Sequence, residues 1–256
     1  MYTFKTSDVK KVQIMKKLLL SKMSSYANFA APSSGWTIRI FRSDRILNLN
    51  PKKVALSFPF VVLAVLVSYR FLDAGIALLA RELLKTGDLL QSITADIPDV
   101  LFLLVFFGSG LLWGIYLGHK RRGISNTRTR FCLLAGSAVP LAYFLKWLFK
   151  HFFGRINTRS WLADQTSDGF HWFHGGGIYS SFPSGHMTVF TAFFAAVWLL
   201  YPRYRSISSG GLLLLAAALI FTDYHFLSDV IAGSYLGLVA TCLTRIGLNR
   251  ICPETV

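Results

Sequence analysis

A five-residue stretch, Phe-Pro-Ser-Gly-His at 182–186, has the residue types and the order of a phosphate-binding turn. It lies where a polar loop meets an apolar run, so backbone N–H groups at the start of the following helix point at any ligand ahead. Ser184 adds a hydroxyl, Gly185 lets the backbone approach closely, and His186 can transfer a proton near neutral pH. The plainer alternative is a helix cap that happens to contain histidine.

His225 and Asp229 have the spacing of a nucleophile and its orienting carboxylate. Side chains four residues apart stack on one helix face if the last apolar helix begins near His225. The carboxylate can then accept a ring N–H and stabilise the cation that forms when the other ring nitrogen attacks phosphorus. His186, on another helix, would protonate the departing oxygen. Alone, the pair is also what a hydrogen-bonded helix start looks like.

Phosphoryl transfer needs positive charge and hydrogen-bond donors around the phosphate oxygens. Lys150, Arg155 and Arg159 supply charge from one short segment. Ser184 and the N–H of Gly185 supply donors from the turn. We expect these five residues to surround a phosphate if the segments converge.

The elements that must position these residues are membrane helices. The chain has 256 residues, of which 53% are hydrophobic and only 15% are charged, so it predicts an all-α polytopic membrane protein rather than a soluble domain. Residues 74–95 have the pattern of an amphipathic helix lying in the membrane interface. Residues 1–48 are predicted to form a basic cytoplasmic extension and residues 49–250 a six-helix transmembrane bundle. The predicted spans are 54–72, 101–118, 131–149, 187–201, 209–224 and 228–245.

The net charge of +15 follows the predicted topology. In a six-span arrangement, 20 of the 27 Lys and Arg residues fall on one side of the membrane. The positive-inside rule therefore predicts that both termini are cytoplasmic and that three polar clusters, at 150–159, 184–186 and 223–229, lie on the exoplasmic side. Contact with anionic lipids accounts for the basic tracts, so no nucleic-acid partner is expected.

The loop from Lys150 to Pro183 is 34 residues long and rich in aromatic side chains, which we expect to lie at headgroup level, some of them lining a lipid-binding mouth. His171 and His174 within it form a His-x-x-His pair. No carboxylate or thiol pattern accompanies this pair, so no metal site is predicted there.

Together the segment 150–159, the Pro-Ser-Gly-His at 183–186 and the His-x-x-x-Asp at 225–229 resemble the phosphatidic acid phosphatase type 2 superfamily of membrane lipid phosphatases, over about residues 54–246. The resemblance implies that Ser184 and Gly185 bind phosphate, that His186 is the general acid, and that His225 is the nucleophile with Asp229 behind it.

Two positions depart from the pattern of that family. Its first motif has Arg-Pro seven residues after the lysine, where this chain has Asn157-Thr158. Its third motif has Ser-Arg six residues ahead of the nucleophile, where this chain has Ala218-Leu219. Arg155 or Arg159 could replace the first arginine, and Arg159 or Lys146 the second.

The sequence thus predicts an integral membrane enzyme that removes, or transfers, a phosphate from a lipid phosphate or diphosphate at the outer face of a bacterial inner membrane. Its partners are lipids, it needs no cofactor or metal, and its oligomeric state is left open. One alternative is a noncatalytic binder or transporter of an anionic lipid headgroup. Another is a structural scaffold, in which Ser184, His186 and His225 would lie more than about 10 Å apart, beyond hydrogen-bond reach of a shared phosphate.

Overall fold

The computed structural model of the chain describes residues 49–84, 97–164 and 169–251. The predicted basic extension over residues 1–48 and the last part of the predicted amphipathic helix lie outside these ranges.

Eight α-helices and three short helical segments account for most of the described residues, which contain no β-strand. The short segments are the π-helical turn Ser68–Leu72 and the 3₁₀ turns Gly177–Tyr179 and Pro202–Tyr204. The α-helices are α1 Pro51–Val67, α2 Asp73–Leu84, α3 Ile97–Arg121, α4 Thr127–Phe153, α5 Thr158–Asp164, α6 Gly185–Leu200, α7 Arg205–Phe221 and α8 Leu227–Ile251.

Helices α1 and α2 form one continuous helical run through the π-helical turn, which differs from the predicted break after residue 72. The helix continues because no proline or glycine interrupts residues 68–74 and because Asp73 is buried rather than turned to water. A π-helical turn inside an α-helix is frequent near functional sites. Here it directly precedes Asp73.

Five helical stretches are long and apolar enough to cross a membrane, which confirms the all-α polytopic class. The remaining predicted span, 187–201, corresponds to α6, which is apolar but has only 16 residues. It is shorter because Ser184 caps its start and Pro202 follows its end. The five long stretches are Pro51–Leu83, Leu103–Arg121, Thr127–Phe153, Pro202–Phe221 and Leu227–Arg250.

The centre of the bundle is built from α4, α6 and α8, which meet through small side chains such as Ala138, Ala192 and Ala240. Two glycines of α8 allow its closest approach to α6. A Cβ at Gly233 would lie 2.5 Å from the backbone oxygen of Ser184, and one at Gly237 would lie 2.4 Å from that of Thr188. This contact brings the start of α6 against the start of α8, where the polar clusters meet.

Candidate active site

His225 lies in the turn that connects α7 to α8. Its backbone N–H and that of Tyr224 both donate to the carbonyl oxygen of Leu219, at 3.1 and 3.0 Å, which closes the end of α7. Only 4% of the His225 residue is exposed. Burial lowers the pKa of His225 below its ordinary value, although hydrogen bonding to Asp229 acts in the opposite direction.

The two ring nitrogens of His225 have different surroundings. Nδ1 lies 3.5 Å from Oδ2 of Asp229 and 3.3 Å from Oγ of Ser181. Nε2 is buried and has no hydrogen-bond partner among the described residues. One nitrogen is therefore oriented by the protein and the other is left for a ligand.

The carboxylate of Asp229 is completely buried and is held on both oxygens. Oδ2 accepts hydrogen bonds from the Ser181 hydroxyl at 2.5 Å and from the N–H of Phe226 at 3.2 Å. Oδ1 accepts from Nη1 of Arg155 at 2.7 Å. Such a carboxylate has little freedom to turn away from His225.

Arg155 lies behind Asp229, with its guanidinium fully buried. Nη1 also donates to the hydroxyl of Ser228 at 2.6 Å, and Nη2 donates to Oδ2 of Asp73 at 2.9 Å. Burial acts to lower the pKa of Arg155, but the charges of Asp229 and Asp73 outweigh it and raise that pKa. Both terminal nitrogens thus serve carboxylates, whereas the sequence assigned them to phosphate.

Asp73 is a site residue that the sequence analysis missed. Its Oδ1 accepts from the N–H of Ser228 at 2.9 Å, and its Oδ2 accepts from the Ser228 hydroxyl. The available signal was a lone acid following an apolar helix, since a buried carboxylate at membrane depth requires a partner. Ser181 was missed as well, and Ser228, which lies within the polar stretch 223–229, was given no role.

The Pro-Ser-Gly-His turn meets His225 from the other side. Ser184 is completely buried, caps α6 and donates its N–H to the carbonyl oxygen of Asp229 at 3.0 Å. The ring centroid of His186 lies 6.4 Å from that of His225 and 5.3 Å from that of Tyr224. The predicted convergence of these residues is therefore present, and the separation of more than about 10 Å that a scaffold would have is absent.

Lys150 and Arg159, two of the cations predicted to bind phosphate, each have their own contacts near His186 and His225. Nζ of Lys150 donates to the carbonyl oxygen of Ser180 at 2.5 Å. Nη2 of Arg159 donates to the carbonyl oxygen of Thr222 at 3.2 Å, and its guanidinium lies 5.0 Å from the ring centroid of Tyr224. Tyr224 in turn contacts His186, so Arg159 is one side chain removed from that histidine.

Leu219 stands where the third motif of the family has an arginine, and its surroundings in the structure are apolar. Leu219 is buried in a cluster with Met187 and Val230. It contributes no charge to the site.

An apolar cavity of about 980 Å³ runs beside the site between α1 and α8. Phe153, Phe170 and Trp172, from the aromatic loop and the helix before it, line its end together with Phe182 and Pro183. Pro183 immediately precedes Ser184, and the Phe182–Pro183 peptide bond is cis. The cavity therefore ends next to the Pro-Ser-Gly-His turn.

Residues 131–251 match the model of the PAP2 superfamily, the family of the resemblance. These residues belong to the PAP2 superfamily. This matched stretch, the PAP2 segment, contains the site residues His186, His225, Lys150, Arg155 and Asp229. Asp73 precedes it in the chain. Asp73 therefore joins the site from outside the matched segment.

Two curated relatives are similar to part of this chain. A lipid A 1-phosphatase of Rhizobium johnstonii is 43% identical over 78 residues, which are 30% of this chain and 32% of that protein. A lipid A 1-phosphatase of Rhizobium etli is 43% identical over 88 residues, which are 32% of this chain and 38% of that protein. The matches thus span about a third of the length of either relative. No solved structure matches the chain at a significant level.

The His-x-x-His pair lies apart from this site, on the exposed loop. Nδ1 of His174 lies 2.8 Å from the carbonyl oxygen of Trp172, and the ring of His171 contacts that of Tyr179. Among the residues that the structure describes, no group of three His, Cys, Asp or Glu side chains could hold a metal ion.

Proposed function

We propose that this chain is an integral membrane phosphatase that removes a phosphate from a lipid phosphate or diphosphate through a phosphohistidine intermediate. The observation that carries the proposal is the arrangement of His225, whose Nδ1 faces Asp229 while its buried Nε2 has no hydrogen-bond partner in the described part of the chain. A histidine with one nitrogen oriented by a carboxylate and the other open is prepared to act as a nucleophile.

In the first step, the lone pair of His225 Nε2 forms a bond to phosphorus as the bond from phosphorus to the lipid oxygen breaks. Protonated His186 gives its proton to that oxygen. An attack distance of about 3–3.5 Å on one side and a hydrogen bond of about 2.6–3.2 Å on the other suit ring centroids that are 6.4 Å apart. Asp229 stabilises the positive charge that develops on the phosphorylated imidazole.

In the second step, water attacks phosphorus and the bond from phosphorus to His225 breaks. His186, now neutral, takes the proton of the attacking water, so both histidines return to their starting states when inorganic phosphate leaves. If the acceptor is a lipid hydroxyl in place of water, the same steps transfer the phosphate.

The remaining site residues bind or position. Ser184, the N–H of Gly185, Lys150 and Arg159 contact the phosphate oxygens. We assign Arg155 a different role from the one its sequence position suggested, because its guanidinium is engaged with Asp229 and Asp73. It fixes Asp229, and through Asp229 it orients His225.

A lipid substrate is supported by the surroundings of the site. The apolar cavity ends at Pro183, next to Ser184, so an acyl chain in it would bring its headgroup to the turn. The two curated relatives are both named as phosphatases of a lipid, lipid A. The same bacterial relatives and the apolar helices support a bacterial inner membrane location. The charge distribution supports cytoplasmic termini and a site facing the periplasm or exterior.

The test is phosphate release by the detergent-solubilised full chain across a panel of lipid A phosphates, phosphatidic acid and undecaprenyl diphosphate. His225→Gln should abolish release, while His171→Gln, which changes an exposed histidine, should not affect it. Brief incubation with labelled substrate should trap acid-labile phosphate on the unsubstituted protein but not on His225→Gln. Undiminished release by His225→Gln would show the mechanism to be wrong.

The alternative is a noncatalytic protein that binds or transports an anionic lipid headgroup. It is favoured by the burial of apolar Leu219 where the family has an arginine. It predicts that the same lipids bind without release of phosphate, and that binding survives His225→Gln.

A further inference from the structure

Both arginines of the family motifs are absent from this chain, and Arg155 is bound to carboxylates. The site therefore needs positive charge from another residue. The family's first-motif arginine is replaced by Asn157 and its third-motif arginine by buried Leu219. Arg155 is committed to two carboxylates. A phosphoryl group with two or more negative charges would otherwise be balanced by Lys150 and Arg159 alone.

The side chain of Lys146, which belongs to α4, lies against the start of α6; the sequence offered this lysine only as one of two possible replacements for the third-motif arginine. It precedes Lys150 by four residues on α4, so the two side chains share one helix face. A Cβ placed on Gly185 would lie 2.8 Å from Cδ and 3.3 Å from Nζ of Lys146. The absence of a side chain at Gly185 is what leaves room for this lysine.

Within the described ranges, the ammonium group of Lys146 has no carboxylate partner. Its contact in the described part of the chain is with the ring of Tyr143, whose centroid lies 4.0 Å from Nζ. The ion pairs among the described residues join Arg155 to Asp73 and Asp229, and His225 to Asp229, and none involves a lysine.

Three sources of positive potential therefore lie on one side of the site, and the acid whose charge acts on Lys150, Asp229, is already paired with Arg155. Lys146 and Lys150 repel each other across one helical turn. The buried N–H of Gly185 has no hydrogen bond to any described residue and stands at the positive end of the α6 dipole. A bound phosphoryl group would reduce the repulsion between the two ammonium groups and would accept a hydrogen bond from the N–H of Gly185.

We propose that Lys146 binds a peripheral oxygen of the substrate phosphate and replaces the third-motif arginine that Leu219 lacks. It donates a charge-assisted hydrogen bond and moves no proton. The inference rests on the proposed function for the identity of the substrate, but the anion site itself can be measured without turnover.

The test compares Lys146→Met with Lys120→Met in the purified full chain. Methionine keeps the apolar stem against Gly185 and removes the charge. Lys120 is a matched control, because it also lies over a tyrosine ring, that of Tyr116, at the opposite end of the bundle from the histidines. Lys146→Arg, which keeps the charge, should recover part of any loss and would show that the position itself tolerates change.

Two measurements are made on each variant. Inorganic phosphate or vanadate should raise the melting temperature of the unsubstituted protein and of Lys120→Met, and should leave that of Lys146→Met unchanged. The kcat/KM for lipid phosphate should fall about 10²-fold to 10³-fold in Lys146→Met, as for loss of one preorganised donor to the transition state.

The outcomes separate this inference from the proposed function. An anion-dependent shift that disappears in Lys146→Met, in a protein that releases no phosphate, supports the site and contradicts the enzyme. Release that depends on His225 but is unchanged in Lys146→Met, together with an unchanged anion shift, contradicts the role of Lys146 and leaves the enzyme standing. A protein showing neither anion shift nor release contradicts both.

Discussion

Arg155 and Asp229 form a fully buried ion pair, with Nη1 of the arginine 2.7 Å from Oδ1 of the carboxylate. The second carboxylate on the same guanidinium is that of Asp73, at the start of α2. A residue of the first helical run thereby supports the carboxylate that faces His225.

Asp73→Asn should destabilise the protein by about 3–5 kcal/mol, because it removes one charge from a buried, hydrogen-bonded cluster. It should also lower kcat while leaving KM for the lipid nearly unchanged, since Asp73 positions Arg155 and touches no substrate. Denaturation in detergent and steady-state kinetics measure the two effects. Asp164→Asn, at an exposed acid, is the control. A loss no larger than that of the control would contradict the role of Asp73.

His186→Asn should lower the rate of phosphate release from lipid substrates by about 10²-fold to 10⁴-fold, the range for loss of a general acid. For p-nitrophenyl phosphate, whose leaving group needs no proton, the first-turnover release of p-nitrophenol should lose much less, although later turnovers also slow because His186 takes the proton of the attacking water. His225→Gln should abolish release from both substrates, because nucleophilic attack is required for each. An equal loss in the first turnover of both substrates in His186→Asn would contradict the role of His186 as proton donor.

The pH dependence of kcat/KM should reflect the lowered pKa of His225. The nucleophile must be neutral, so activity falls as pH drops through the pKa of His225 in the free enzyme. Because burial holds that pKa below its ordinary value of 6.5, the acidic limb should lie below pH 6.5. Asp229→Asn removes an acceptor that favours the imidazolium, so the limb should move further down while kcat falls. An acidic limb of the kcat/KM profile above pH 6.5, or a shift of that limb to higher pH in Asp229→Asn, would contradict this account.

Gly233→Ala should separate α6 from α8, because a Cβ there would lie 2.5 Å from the carbonyl oxygen of Ser184. We expect a cost of about 1–3 kcal/mol, typical of overpacking. Activity should also fall, since the hydrogen bond from Ser184 to Asp229 lies at this contact. Gly247→Ala, on the same helix with nothing within 4 Å of its Cβ, should be neutral or slightly stabilising. Equal effects of the two substitutions would show that the close approach is unimportant.

Apolar runs of helical length and the order of the polar motifs were enough to predict much of this protein. The all-α polytopic class followed from runs such as 101–118, because a helix is the usual way to satisfy backbone groups in lipid within a single segment. The convergence of His186 with His225 followed from counting spans, since an even number of crossings returns the chain to the same side. The spacing of His225 and Asp229 predicted their contact because i,i+4 geometry is local.

Contacts between distant segments were decided only by the tertiary structure. The sequence predicted Arg155 as a phosphate ligand, since its place near Lys150 gave no sign that Asp73, 82 residues away, would hold it. It left Lys146 as one of two possible replacements for the third-motif arginine, because the packing of its side chain against Gly185 depends on how α4 meets α6. Local periodicity determines which residues share a helix face. Only the packing of helices against one another determines which buried charge each of those residues meets.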